Sequence, residues 1–266
     1  MAVERLEKGA FRKGAPFLFV RGVLLLFVLL FARQALACPL DRADENVGVE
    51  YVYDGDTVKL ADGRKVRFIG INTPEINHDG GQSDPFSHTA RKRLQQLLSG
   101  DRLLLRYDRE RHDRYGRLLA HPYLPDGRSV SRILLEEGLA AVVVIPPNLW
   151  QSDCYLSHER EARAAKRRIW SAAGALSKHS TELVRGDGGF ALLRGMVEEV
   201  AESRRSLWLE LNGNVALRIP KRDLDYFSSY DPKSLAGKTV EARGWLTYHK
   251  GKWRMSVRHP GAMQVH

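Results

Sequence analysis

Strand-like runs broken by short turn clusters dominate the chain from residue 49 onward, and three stretches at helical spacing lie among them. Asp54-Gly55 reads as a tight turn, because glycine takes positive φ freely and aspartate tolerates it. Thr57, Val58 and Leu60 begin a strand, and Asp62-Gly63 is a two-residue hairpin signal. The returning strand runs from Val66 to Ile71, apolar except for Arg67 and Gly70, and Pro74 stops it. Residues 76–84 are rich in Gly, Asn and Asp and predict a loop. Pro85 and Ser87 then start a helix through Leu98, with Ala90, Leu94, Leu97 and Leu98 inward and Gly100 as its stop.

A strand is predicted over 103–107, a turn at Asp113-Arg114-Tyr115-Gly116, and a strand over 117–124. Ser129 or Ser131 caps a short helix ending at Glu137-Gly138, and 139–145 reads as a buried strand. Residues 155–170 predict an amphipathic helix with Leu156, Ala162, Ala165 and Ile169 inward. Small and polar residues from Ser171 onward place a linker at 176–189. Five further strand-like runs follow, at 192–200, 207–211, 215–219, 240–246 and 253–257, with turns at Asn212-Gly213-Asn214 and Lys250-Gly251.

The N-terminus is set apart from this pattern. Arg5, Lys8, Arg12, Lys13 and Arg21 precede an eleven-residue apolar run, Gly22 to Ala32. That run is short of the ~20 residues of a membrane crossing. Ala35-Leu36-Ala37 offers a small-x-small cleavage site before Cys38. Residues 1–37 therefore read as a secretory signal peptide, with no membrane span left after cleavage and a secreted or periplasmic product. Lipid anchoring through Cys38 is a minority alternative. Residues 38–46 read as a loosely held polar arm. Cys38 and Cys154 are the two cysteines, and a disulfide or two unpaired thiols both fit.

The net charge is +10, falling to +6 without the leader, and it favours anionic partners such as nucleic acid. The absence of CxxC and HExxH removes any sequence case for a zinc site. His78, His88, His112, His121 and His158 stand among polar neighbours and read as surface or loop histidines. No obligate protein partner is evident.

The hairpin over 57–71 would carry Asp56, Arg67, Asn72, Thr73 and Glu75 toward neighbouring positions. Acidic oxygens beside an arginine suit a hard cation and a phosphate better than a core. Asp54-Gly55-Asp56-Thr57, then Arg67, then Thr73-Pro74-Glu75, and later Asp113-Arg114-Tyr115-Gly116-Arg117, stand in an order and spacing that resemble the staphylococcal nuclease (thermonuclease) family. The resemblance runs from about Val47 to Ser171.

It implies catalytic roles for Arg67, Glu75 and Arg117, metal binding by Asp56, Asn72 and the Thr73 carbonyl, and phosphate contacts from Arg114 and Tyr115. The implied metal is Ca²⁺. Asn72 stands where the family's usual sequence has a second aspartate, so one ligand charge is lost and another divalent cation becomes an option. The two tyrosines that line the family's nucleotide pocket fall near Val144 and Pro146. Asp54 or Asp56 could give the cation a carboxylate, and for Asp54 the turn reading is preferred.

Strand pattern and resemblance together predict a mainly β fold with helices, of the α+β class. A five-stranded oligonucleotide-binding (OB-fold) barrel occupies 38–175, and a second small OB-like β-barrel occupies 190–266. Phe190, Trp208, Trp245, Tyr248 and Trp253 in that second barrel lie among Lys250, Lys252, Arg254 and Arg258. Rings among cations suit single-stranded nucleic acid, although rings in a small β domain more often form core. The expected activity is metal-dependent endonucleolytic cleavage of DNA, with RNA a further option, leaving a 3′-phosphate by resemblance. The alternative is a non-catalytic extracytoplasmic nucleic-acid-binding protein.

Overall fold

The computed structural model describes residues 38–77, 80–100, 102–172 and 176–266. The expected leader and its cleavage site lie outside the described residues, as does His78. Among the described residues no helix is long and apolar enough to cross a membrane.

The first half of the described chain supplies β1 (Glu45–Val52), β2 (Thr57–Leu60), β3 (Lys65–Phe68), β4 (Ile71–Asn72), β5 (Arg102–Arg106), β6 (Leu118–Tyr123) and β7 (Ala141–Val142). Its helices are α1 (Ser87–Leu97), α2 (Val130–Glu136) and α3 (Ser152–Ala164). Five of these strands close a barrel in the order β1-β2-β3-β6-β5. Alternation sets the inside: Val58, Leu60, Val66, Phe68, Leu103 and Leu105 are all buried. The Asp62-Gly63 hairpin forms as its sequence predicts, with Gly63 at φ 89° and the Arg64 N–H donating to Asp62 Oδ1 at 3.0 Å.

The predicted return strand over 66–71 is two strands. The chain turns out of the barrel at Ile69-Gly70, where Gly70 takes φ 82°, and β4 pairs with β7 in a separate ribbon. A Cβ at Gly70 would lie 2.7 Å from the Tyr155 ring of α3, so glycine serves both the backbone angle and the close approach. Only Ala141 and Val142 of the predicted strand over 139–145 are paired as strand.

The last predicted helix also starts and stops earlier. α3 ends at Ala164, Lys166 and Arg168 take positive φ, and a separate 3₁₀ turn follows (Arg168–Trp170). Ala165 is exposed. The buried stripe of α3 is Tyr155, His158, Glu159 and Ala162. Its spacing is helical, but two of its members are polar, which hides it from a hydrophobic reading.

The arm before β1 is held firmly. Cys38 is buried and joined to Cys154 of α3 by a disulfide. Asp41 pairs with Arg106 at 2.8 Å, and Asp44 accepts the Tyr107 N–H at 2.7 Å. The bond closes a loop of 116 residues and so restricts the unfolded chain strongly. Its sulfur is thereby committed to Cys154 and is not free to carry a lipid.

Two of the histidines read as surface residues are in the interior. His158 sits against Glu136 at 3.0 Å. His121 is fully buried on β6, with Nδ1 3.1 Å from Tyr155 Oη, Nε2 3.8 Å from Asp108, and the Trp150 ring edge-on at 5.0 Å. Burial pulls its pKa down and Arg106 adds to this, while Asp108 and Asp41 act the other way, leaving it below the ordinary value. The unfolded histidine, at ~6.5, then binds protons before the folded one does. Its contribution is intact above that pH and is lost as pH falls below it. The urea midpoint is therefore expected to fall between about pH 7 and pH 5.5, and to fall less in His121→Gln. Equal slopes in the two proteins would remove His121 as the cause.

The second half contains β8 (Ser177–His179), β9 (Gly189–Glu202), β10 (Ser206–Leu211), β11 (Val215–Pro220), β12 (Thr239–His249), β13 (Lys252–Ser256) and β14 (Met263–Val265). Long β9 pairs with β12 through its first half and with β10 through its second, and β10-β11-β13-β12 completes a second closed barrel. β8 and β14 add to its edges. Its core includes Leu193, Leu209, Leu217, Val240 and Met255. Trp253 is core at 5% exposure, whereas Trp245 and Tyr248 remain on the outside.

Charge pairing joins the two barrels. Glu159 and Arg163 lie one turn apart on α3, and Glu241 and Arg243 alternate onto one face of β12. Arg163 meets Glu241 at 2.7 Å, and Arg243 meets Glu159. The second pair is buried, and the other Glu159 oxygen accepts the Val142 N–H of β7 at 2.7 Å.

Candidate active site

The site forms where the first barrel's hairpin runs into β4. The Asp54 side chain accepts the Asp56 N–H at 2.9 Å, which is the turn role its sequence predicts. That turn buries Asp56 to 2% exposure at the start of β2. Asp56 Oδ1 accepts the Thr57 hydroxyl at 3.0 Å, and Oδ2 accepts the Thr73 N–H at 2.7 Å. Gly55 is tight here: a Cβ would lie 2.6 Å from Thr73 Cγ2. Residues on either side of a sixteen-residue excursion are thus locked together by one carboxylate.

Arg67 pairs across the hairpin with Thr57. Its Nη1 donates to the Phe68 and Ile71 carbonyls at 2.7 and 2.9 Å, bracing the corner where β3 leaves for β4. Its Nη2 donates to Asn72 Oδ1 at 2.8 Å and lies 3.1 Å from Asp56 Oδ2. Asn72 in turn donates its amide to the Thr73 carbonyl at 3.1 Å. Asp56, Arg67, Asn72 and Thr73 therefore form one contiguous network.

Glu75 follows Pro74 and is fixed through its backbone: its N–H donates to Asp84 Oδ2 at 2.9 Å, and its carbonyl accepts the Asp84 N–H at 3.0 Å. Burial raises the Glu75 carboxyl above its ordinary pKa, and the Asp56 charge adds to this, while Arg67 and Arg117 oppose it. Asp54 is pushed up to about 7, by burial first and the Asp56 charge second. Asp54, Asp56, Glu75 and Asp84 so form a crowded group of carboxylates that Arg67 and Arg117 offset only in part.

Arg117 opens β6 from the predicted turn. Its Nε donates to Asp113 Oδ2 at 2.7 Å, and Asp113 Oδ1 also accepts the Arg117 and Tyr115 N–H groups. Burial alone would raise the Asp113 carboxyl; these hydrogen bonds hold it below the usual range. Arg114 stacks over Tyr115 at 4.7 Å and Arg117 at 5.6 Å, and the Tyr115 ring is 68% exposed. Arg114 and Tyr115 thus stand out from the barrel beside the Arg117 that Glu75 senses.

The donors fit a hard cation. They are oxygens only, three of the carboxylates crowd one another, and buried Thr73 Oγ1 lacks a hydrogen-bond partner. Asn72 Oδ1 keeps a second lone pair beside its bond to Arg67. Sequence reasoning passed over Asp84, whose signal is weak: a lone aspartate ahead of Pro85 in a polar loop. It also favoured turn geometry for Asp54 over a place beside the cation, because the hydrogen bond to Asp56 N–H is local while its crowding with Glu75 is not.

Comparison with known proteins bears on the family to which the first barrel belongs. The family model for the staphylococcal nuclease homologue matches residues 65–172. Endonuclease YncB of Bacillus subtilis is 40% identical over 134 residues, covering 48% of this chain and 63% of that protein. The SPbeta prophage-derived endonuclease YokF of the same organism is 39% identical, covering 48% of this chain and 45% of its own length. The chain thus spans less than two thirds of these two relatives. The thermonuclease of Staphylococcus intermedius is 35% identical over 133 residues, which are 49% of this chain and 79% of that protein. With nearly four fifths of a thermonuclease matched and the motif residues drawn into one network, the chain belongs to the staphylococcal nuclease family.

Proposed function

We propose that the protein is an exported, metal-dependent endonuclease that hydrolyses phosphodiester bonds of DNA, with RNA a further candidate substrate. The observation that carries this is the network itself: Asp56, Arg67, Asn72 and Thr73 in mutual contact, with Glu75 and Arg117 in electrostatic reach of one another. Asp56, Asn72 and the Thr73 carbonyl would hold a divalent cation, with Ca²⁺ favoured by the oxygen-only donors. When bound, the ion supplies Lewis-acid polarisation of a phosphoryl oxygen. The protein's own residues do the rest. Arg67 and Arg117 donate to the phosphoryl oxygens, an anion that outcompetes the neutral Asn72 amide for the Arg67 fork. Glu75, anchored on both sides by Asp84, orients a water and takes its proton. Arg114 and Tyr115 meet a neighbouring phosphate from the exposed turn.

The Cys38–Cys154 bond supports export, since such bonds persist in oxidising compartments. The relatives' names support nuclease chemistry. The test is cleavage of labelled DNA and RNA with Ca²⁺, with Mg²⁺ and with chelator, together with Glu75→Gln. Cleavage is expected with Ca²⁺, is abolished by chelator, and drops about 10²–10⁴-fold in Glu75→Gln. Binding of nucleic acid without cutting under every ion condition would instead favour a non-catalytic binding protein.

A further inference from the structure

We infer that Cys38, Cys154 and His158 form a second metal site, for a thiolate-preferring divalent cation such as Zn²⁺, whenever their disulfide is open. A ring nitrogen of His158 and the two sulfurs all lie within 4.8 Å of one another. The fold, not a sequence motif, assembles this set. Cys154 and His158 stand one turn apart on α3, and Cys38 arrives from the other end of a 116-residue loop.

The surroundings are those of a metal-binding imidazole. His158 is buried, and its Nδ1 stands 3.0 Å from Glu136 Oε1 of α2. A carboxylate there keeps the proton on Nδ1 and puts the lone pair on Nε2, the tautomer that metal ligation needs. Arg132 donates to the same Glu136 oxygen at 2.7 Å, so the carboxylate is itself held. Cys38 is buried, while Cys154 is half-buried and opens the site to solvent. Two sulfurs on one zinc stand ~3.8 Å apart, from Zn–S bonds of ~2.3 Å in a tetrahedron. With the Cα atoms 5.7 Å apart, the two Cβ–Sγ arms reach that spread by side-chain rotation. Two thiolates and an imidazole match zinc, with a fourth position for water, whereas Ca²⁺ takes oxygens. Donor chemistry thus separates this site from the oxygens of Asp56, Asn72 and Thr73.

Redox state decides which link is made. The sulfurs are thiols before the bond forms, and again after a dithiol reductant breaks it. In that exchange the dithiol becomes a disulfide and one hydrogen is left on each protein sulfur. Zn²⁺ then displaces two protons as both thiolates bind. Either link closes the same loop and keeps the arm before β1 seated on α3.

The experiment reduces the protein with a phosphine, removes the phosphine under nitrogen and titrates Co²⁺ as a coloured stand-in for Zn²⁺. Circular dichroism verifies the fold of each sample. Thiolate-to-cobalt charge-transfer absorption is expected in the reduced protein, saturating at one Co²⁺ per chain and abolished by Zn²⁺; the oxidised protein should show none. Affinity should weaken at least about tenfold in His158→Gln, which removes a ligand, and about tenfold in Glu136→Gln, which frees the ring. Zn²⁺ at a hundredfold excess over its Kd should raise the melting temperature of the reduced protein by about 5–10 °C and leave the oxidised protein unchanged. Absence of the thiolate band in the reduced protein overturns the site, and so does unchanged Co²⁺ affinity in a folded His158→Gln. Should that variant not fold, unchanged affinity in Glu136→Gln overturns it instead. None of these readouts depends on nuclease activity.

Discussion

Arg67→Ala is expected to lower cleavage by at least about 10²–10³-fold, the usual loss when a donor to a developing oxyanion is removed. Arg67 has a second job that must be separated from the first. Its Nη1 braces the β3–β4 corner through the Phe68 and Ile71 carbonyls, so truncation also loosens the fold. Arg117→Ala supplies the companion measurement. Arg117 is held by Asp113 on an exposed turn, so its loss should leave melting nearly unchanged while cleavage still falls steeply. Arg67→Lys keeps the charge but not the planar fork, and should recover only a small part of the rate. The readout is the rate constant at saturating substrate, measured well below each variant's melting temperature. A fall of less than tenfold in both Arg67→Ala and Arg117→Ala would sink the assignment of these two guanidinium groups to phosphate.

The second large effect is on stability, at the junction of the barrels. Arg243→Met strands the buried Glu159 carboxylate and should cost about 3–5 kcal/mol. Glu159→Gln retains an oxygen for the Val142 N–H but leaves Arg243 without its counter-charge, and a loss of similar size is expected. The double variant removes both charges while keeping that hydrogen bond, so it should be more stable than either single variant. Urea denaturation of the four proteins gives the coupling directly. Additive losses would mean that the two side chains act independently, against the contact described. Because Val142 pairs with Ile71 next to Asn72, the same pair also steadies the ribbon that carries Asn72.

Both barrels were legible from strand runs and turn chemistry, because those signals are local. Asp62-Gly63 needs only its own backbone preferences to make a hairpin, and Val66 and Phe68 need only the pleat to face inward. The split of the return strand at Gly70 was not legible, since it depends on Tyr155, more than eighty residues on, filling the space a Cβ would take. The stop of α3 depends on the chain packing back on Gly138, where a Cβ would lie 2.5 Å from the Arg167 carbonyl. His121 and His158 looked like surface residues because their neighbours in sequence are polar, while the partners that allow burial, Asp108, Tyr155 and Glu136, come from other elements.

The order of residues alone determined the candidate chemistry: which carboxylates, which arginines, and the turns that set them at the ends of strands. Tertiary structure alone decided that Asp56 reaches the Thr73 N–H, that Arg67 turns inward onto Asn72, and that Asp84 anchors Glu75. It also decided that α3 and β12 meet through opposite charges. The division has a physical cause. Backbone preferences and alternation act over a few residues and are written in the local pattern, whereas pairing and burial of charge are settled only when distant segments exclude water together.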